Sequence, residues 1–377
     1  MRIKTFDVER WMDLYENDAV NNIAETCVNS MSVRELLELA GDTGSRIQQI
    51  LDMRLTYGAI PGSLSLREGI TGLYETMGPE NVLVMNGGSA SNFLTLYALV
   101  EPGDHVISVN PTYQQLYSIP ESFGARVDLL ELKPEEGFLP DPGKIAGMIT
   151  PETKMICLNN PNNPTGALMG KDLLEEIVEV ARSVDAWILC DEVYRMLVHE
   201  QDLHIPAMAD LYEKGISVGS MSKAFSLAGL RLGWIAGSED LIHECILKRD
   251  YTNISCGMID DYLAALAMEK KDAILERNLG IIRSNIAILD EWVKGEPRID
   301  YVKPRAGTTA FIHYDYHVPS REFCTRLIEL NGTFVVPGDC FGRENWIRVG
   351  YAFDPAVLEA GLKGISILLR ELEKEGL

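Results

Sequence analysis

Short apolar runs alternate with helical patterns from about residue 81 to 250. VLVM (82–85) comes first, followed by a stretch of helical spacing from Ala90 to Val100. HVISV (105–109), MICL (155–158), WILC (187–190) and ISVG (216–219) repeat the theme. Alternation of such runs with helices predicts a largely parallel sheet covered by helices. Reactive groups of such a sheet gather at the carboxyl ends of its strands, so function is expected just after those runs.

Between about 258 and 295 the pattern turns helical, long enough for a spine leaving the sheet domain. A second cluster follows, in which TTAFIHY (308–314), TFVVPG (333–338) and NWIRVGY (345–351) read as strands and 319–330 and 355–375 as helices. The expected fold is therefore α/β, with a large domain over residues 41–275 and a smaller α+β domain over 276–377. Residues 1–40 carry one amphipathic stretch, Val8 to Leu14, and are expected to form an arm joining the small domain.

Composition adds exclusions. A chain of 377 residues with 46% apolar content exceeds the size at which single cores stop growing, in keeping with two domains. Fifty-six acidic against 34 basic side chains give a net charge of -22, which opposes binding to nucleic acid or to anionic membranes. Acids matter for a substrate only inside a pocket. Seven scattered cysteines without a CxxC pair fit reduced thiols in a cytoplasmic protein. Neither an export signal nor a run of about 18 apolar residues is read. The histidines lack HExxH or paired spacing, so no metal site is expected.

Four segments end predicted strands with polar groups: NGGSAS (86–91), NNPNNPTG (159–166), DEVY (191–194) and SMSKAFSLAGLRLGW (220–234). Each alone has a plain structural reading, as a turn, an Asn-Pro loop or a helix cap. NGGSAS lacks the GxGxxG spacing of a dinucleotide fold.

In this order and on these strand ends, the segments resemble the fold-type I pyridoxal-phosphate enzymes, in particular the class I and II aminotransferase family. The resemblance runs from about Leu55 through Arg348, and SxSK followed by Arg231 is its most specific part. It implies a seven-stranded type of large sheet, pyridoxal 5'-phosphate as cofactor, amino-acid and 2-oxo-acid substrates, and a homodimer with shared active sites. Lys223 then corresponds to the Schiff-base lysine, which also serves as general base and needs a lowered pKa. A partly desolvated site near a cation such as Arg231 would favour its neutral amine. Asp191 corresponds to the partner of the pyridine nitrogen, Tyr194 and Asn163 to donors to the ring oxygen, and Tyr113 to the aromatic ring on the cofactor face. Gly88, Ser89, Ser220, Ser222 and Arg231 correspond to the phosphate site, with Tyr57 reaching the phosphate of the neighbouring subunit. Arg348 corresponds to the clamp on the substrate carboxylate, and Asn163 borders the substrate as well.

The arm departs from most relatives, which carry a Gly- and Pro-containing segment where this chain reads NNIAETCVNSMSVREL (21–36). The arm and VVPGDCFGRENWIRVGYA look closer to a subgroup acting on arginine-derived amino acids, including capreomycidine synthase and pyridoxal-phosphate arginine oxidases. Asp13 and Glu25 are the arm's candidate partners for a cationic side chain. Transamination is the expected outcome. Alternatives are an arginine-derivative cyclase or oxidase, a β-eliminating C-S lyase, and a silent pyridoxal-phosphate-binding regulator.

Overall fold

The computed structural model describes residues 2–201 and 203–376. Its larger sheet has seven strands, in the order Val82–Met85, Gly233–Ala236, Gly215–Ser220, Trp187–Asp191, Thr153–Asn159, His105–Asn110 and Arg126–Glu131. All run the same way except Gly233–Ala236, which is antiparallel to both of its neighbours. The strands from Val82–Met85 and Gly215–Ser220 are buried throughout, as expected where helices cover both faces of a sheet.

A smaller antiparallel sheet orders Val336–Pro337, Trp346–Gly350, Thr309–Tyr314 and Ile299–Tyr301. Helices Ser320–Asn331 and Pro355–Glu375 accompany it, and the helical stretch before it divides into Met258–Glu269 and the spine Lys271–Gly295. The architecture is α/β with a mostly parallel seven-stranded sheet and a second, smaller antiparallel sheet. Among the described residues no helix is long and apolar enough to cross a membrane.

The arm is anchored to the smaller sheet. Helix Asp7–Tyr15 buries Val8 and Trp11, and the Trp11 indole N–H donates to the Val335 carbonyl at 2.9 Å. Asn21–Asn22 then pairs in parallel with Thr333–Phe334. Farther along, the Gly350 amide donates to the Ile23 carbonyl at 2.8 Å, and the Asn29 amide to the Ala352 carbonyl at 2.8 Å. Gly350 must lack a side chain, since a Cβ there would overlap the Glu25 carbonyl oxygen. This close crossing lays Glu25, Thr26 and Cys27 over the end of the large sheet. A second arm helix, Val33–Ala40, starts in a capping box between Ser32 and Glu35.

Candidate active site

A cavity of about 300 Å³ opens beyond the carboxyl ends of the parallel strands, between the large sheet, the arm and strand Trp346–Gly350. Lys223, Asp191, Tyr194, Gly88, Ser89, Tyr113, Asn163, Ser220, Ser222, Arg231, Arg348 and Glu25 all line it. Residues remote in sequence converge because each follows a strand or lies on the arm that crosses them.

Asp191 closes strand Trp187–Asp191 and is buried. Its Oδ2 accepts from Asn92 Nδ2 at 2.8 Å and its Oδ1 from the Val193 amide at 3.3 Å. Burial pushes this carboxyl up, against the opposing pull of the Asn92 and Val193 hydrogen bonds and of Lys223. Asn92 escaped sequence reasoning. It lies one turn beyond Gly88 on helix Gly88–Leu99, a spacing that aims both at the same strand end.

That helix begins two residues ahead of the expected Ala90, because Gly87 at φ 94° turns the chain into it. Its first-turn amides, including those of Gly88 and Ser89, are the free donors that make a helix start an anion site. Arg231 completes this end of the cavity. It holds a left-handed backbone at φ 50°, and its Nη2 would stand 3.1 Å from a Cβ placed on Gly87. Such a backbone is uncommon for a residue other than glycine and marks a position held by its surroundings. Ser220 accepts the Ser222 amide at 3.0 Å through its Oγ.

Tyr113 packs against Phe6 with ring centroids 4.9 Å apart, and its hydroxyl meets Ser89 Oγ and Glu9 Oε1, each at 3.2 Å. Asn163 is oriented by its amide, which donates to Asn159 Oδ1 at 2.6 Å. Arg348 is buried; its Nη1 donates to Asn163 Oδ1 and its Nη2 to the Ala24 carbonyl, each at 3.2 Å. Its Nε is buried without a hydrogen-bond partner.

Lys223 Nζ donates to Thr26 Oγ1 at 2.5 Å and to Cys27 Sγ at 3.3 Å. Burial works against its ammonium, but Tyr194, Cys27 and Glu25 outweigh it and hold the amine above the ordinary lysine range. The expectation of a lowered value near Arg231 is thereby corrected: the decisive neighbours are acidic groups of the arm and a phenol.

Asp13 requires a correction as well. It is exposed and stands outside the cavity, because the turn of helix Asp7–Tyr15 and the residue after it aims Glu9, Met12 and Glu16 inward instead. Burial, then Glu25, Glu9 and Asp13, push the Glu16 carboxyl up, the mark of acids crowded at one mouth. Tyr57 is 78% exposed and lies away from the cavity of its own chain.

The donor set suits a flat, phosphorylated pyridine. One end offers helix-start amides, hydroxyls and a guanidinium for an anion, the middle a lysine amine, and the floor a buried carboxylate for a protonated ring nitrogen. The unpartnered Arg348 Nε leaves donor capacity for a further carboxylate.

Comparison with known proteins agrees with this chemistry. The family described as "Aminotransferase class I and II" matches residues 24–365. Capreomycidine synthase of Streptomyces vinaceus is 32% identical over 76% of this chain and 73% of its own. Arginine–pyruvate transaminase of Pseudomonas aeruginosa is 27% identical over 86% of this chain and 85% of its own. A solved structure of a PLP-dependent aminotransferase from Streptococcus suis superposes with a TM-score of 0.96 at 42% identity, covering 99% of both chains. The cofactor of this chain is accordingly pyridoxal phosphate, and the chain belongs to the class I and II aminotransferase family.

Proposed function

We propose that this chain is an aminotransferase whose amino-acid substrate carries a basic side chain, and that it works as a homodimer. The observation that carries the reading is one cavity holding Lys223, Asp191 and Arg348 beneath a mouth lined by Glu9, Glu16 and Glu25.

When bound, pyridoxal phosphate supplies an electron sink for the pair released at the substrate α-carbon. Lys223 would hold its aldehyde, Asp191 its ring nitrogen, and Tyr194 and Asn163 its ring oxygen. Gly88, Ser89, Ser220, Ser222 and Arg231 would take the phosphate, with Tyr113 against the ring face. Asn92 and the Val193 amide donate to Asp191 and oppose the upward push of burial, and its carboxylate would pair with the protonated ring nitrogen. Arg348 grips the substrate α-carboxylate and, tied to Asn163, fixes the α-carbon relative to Lys223. Lys223 Nζ, in its neutral form once the substrate amine has taken its place on the cofactor, would take the α-proton and return it.

At the mouth, a guanidinium or ammonium meets carboxylates rather than an apolar wall. Glu25 is the innermost of these acids. Burial opposes its charge, but Lys223 and the Cys27 and Thr26 amides hold its carboxyl below the usual range. Glu9 and Glu16 replace the exposed Asp13 as its companions. Tyr57 projects from a segment with exposed Leu51 and Leu55, a surface suited to a second copy, where Tyr57 would reach the phosphate site.

A second reading, an arginine-derivative cyclase or oxidase, is favoured by one observation: the identity to capreomycidine synthase exceeds that to the arginine–pyruvate transaminase. An absorbance screen of the cofactor-loaded protein with arginine, alanine and aspartate, with and without a 2-oxo acid, separates these readings. Transamination of a basic substrate is expected to give the strongest response with arginine and to convert the 2-oxo acid into an amino acid. Equal responses to all three sink the basic substrate. An altered arginine skeleton without acceptor turnover favours the second reading, elimination products indicate a lyase, and binding with no turnover indicates a regulator.

A further inference from the structure

We propose that Gln114 is a positioning residue that clasps the start of helix Asp7–Tyr15 over the cavity, and so sets where Glu9 and Glu16 meet a basic side chain. The inference rests on the basic-substrate reading and adds what holds the acids of the mouth in place.

Gln114 is buried at the start of helix Gln115–Phe123, next to Tyr113. Its carbonyl accepts the Ser118 amide at 3.0 Å, which ties its backbone to that helix. The side chain turns to the arm: Oε1 accepts the Asp7 amide at 2.9 Å, and Nε2 donates to the Thr5 carbonyl at 2.8 Å. Nε2 also donates to Ser118 Oγ at 3.2 Å. One buried side-chain amide thus pairs with a backbone N–H and a backbone C=O on either side of Phe6, whose ring packs on Tyr113 with centroids 4.9 Å apart.

The arm helix cannot supply this contact itself. Phe6, the residue before it, makes no side-chain cap. First-turn amides have no acceptor within their own helix, and that of Asp7 finds one in Gln114, 107 residues away. Trp11 makes a second attachment, to the Val335 carbonyl at 2.9 Å. With the start held from the large sheet's side and the middle from the small sheet, both the tilt of the helix and its rotation are fixed. Glu9, Met12 and Glu16 follow one another at spacings of three and four, so they share the face that lines the cavity and would swing together if the start came free. The other nearby tie, Lys4 to Glu121 at 2.9 Å, joins exposed groups and holds little.

Two variants break the clasp from opposite sides. Gln114→Met keeps the length of the side chain and removes both hydrogen bonds. Asp7→Pro removes the amide that Gln114 accepts, at the first helical position, where proline is well tolerated, and after Phe6, whose ψ of 103° is extended. Asp7→Ala is the control: it keeps the amide and gives up only the 3.7 Å contact of the Asp7 carboxylate with Arg321, between partly exposed groups.

The readout is the half-saturating concentration in the absorbance response of the cofactor-loaded protein to arginine and to norleucine, a chain of similar reach without a cation. Both clasp variants are expected to raise the arginine value roughly five- to tenfold, the loss of about one placed hydrogen bond, and to leave norleucine within about twofold. Hydrogen exchange of the peptide spanning helix Asp7–Tyr15 is expected to quicken in both, and Asp7→Ala to stay near the parent in both measurements. Combining Gln114→Met with Asp7→Pro is expected to add nothing to Gln114→Met alone. Equal rises for the two amino acids, unchanged exchange, or an Asp7→Ala that reproduces Asp7→Pro overturns the proposal.

If Gln114→Met fails to fold, Asp7→Pro against Asp7→Ala decides. A parent protein that responds to arginine and norleucine alike counts against the basic-substrate reading instead. Hydrogen exchange then judges the clasp by itself, and helix exchange that is the same in Asp7→Pro and Asp7→Ala overturns it.

Discussion

Arg348 Nη1 donates to Asn163 Oδ1 at 3.2 Å, joining a strand of the smaller sheet to a loop of the larger one. In the proposed function the two ends of the contact would hold different parts of the reaction: Arg348 the substrate carboxylate, Asn163 the cofactor ring. Their spacing would then set where the α-carbon stands relative to Lys223.

Replacing Arg348 by lysine keeps the charge but removes the planar fork. Loss of a charge-assisted contact of about 1.5–3 kcal/mol corresponds to a rise in KM of roughly ten- to a hundred-fold. Steady-state kinetics with the best substrate of the screen checks this; an unchanged KM removes Arg348 from the substrate site.

Asp191→Ala is expected to nearly abolish turnover, since the ring nitrogen loses its anion. Asn92→Ala is expected to act in the same direction with a smaller effect, because Asp191 keeps the Val193 amide. Cofactor affinity by equilibrium dialysis, measured beside kcat, distinguishes weakened binding from weakened chemistry.

Leu51, Leu55 and Tyr57 are 71%, 75% and 78% exposed. Covering such side chains with a second copy is favourable by about 25 cal/mol per Å² of apolar surface. Leu51→Asp combined with Leu55→Asp is expected to shift a dimer toward monomer in sedimentation equilibrium and to weaken cofactor binding by displacing Tyr57. A parent protein that sediments as a monomer contradicts the shared site.

Asp290, on the spine helix, accepts from Tyr301 at 2.8 Å and Lys303 at 2.9 Å. The Lys303 hydrogen bond, aided by Tyr301 and Lys294, outweighs burial and draws its carboxyl down to about 2. A depressed folded-state value means the stabilisation is complete above the unfolded range near ~4 and is lost as pH falls toward about 2. Between pH 5 and pH 3, urea unfolding is expected to show the parent losing on the order of 1 kcal/mol more than Asp290→Asn.

Much of this was legible in the chain. VLVM, HVISV, MICL, WILC and ISVG all lie in strands because a buried parallel sheet demands continuous apolar runs. Strand Arg126–Glu131 was not legible: it is an edge strand with mostly exposed or half-buried side chains. Strand Gly233–Ala236 went unread because its first two residues close the SMSK segment, which stands out for its polar groups. Helix Val33–Ala40 carried a readable signal in Ser32 and Glu35, the two ends of its capping box.

The same division holds in the cavity. Residues just beyond strands could be anticipated from strand ends alone. Glu9, Glu16, Thr26 and Cys27 could not, because the arm's path depends on pairing with Thr333–Phe334 and on the crossing at Gly350, contacts remote in sequence. Asp13 and Glu25 were equally plausible acids in the sequence; only the turn of the first helix and the crossing separate the exposed one from the one beside Cys27.

Covalent attachment at Lys223 is the claim on which the account depends most. Borohydride reduction of the cofactor-loaded protein, followed by peptide mapping, is expected to find the reduced cofactor on the peptide carrying Lys223, and to find none in Lys223→Ala. Label on another lysine, or a loaded protein that yields no label at all, contradicts it.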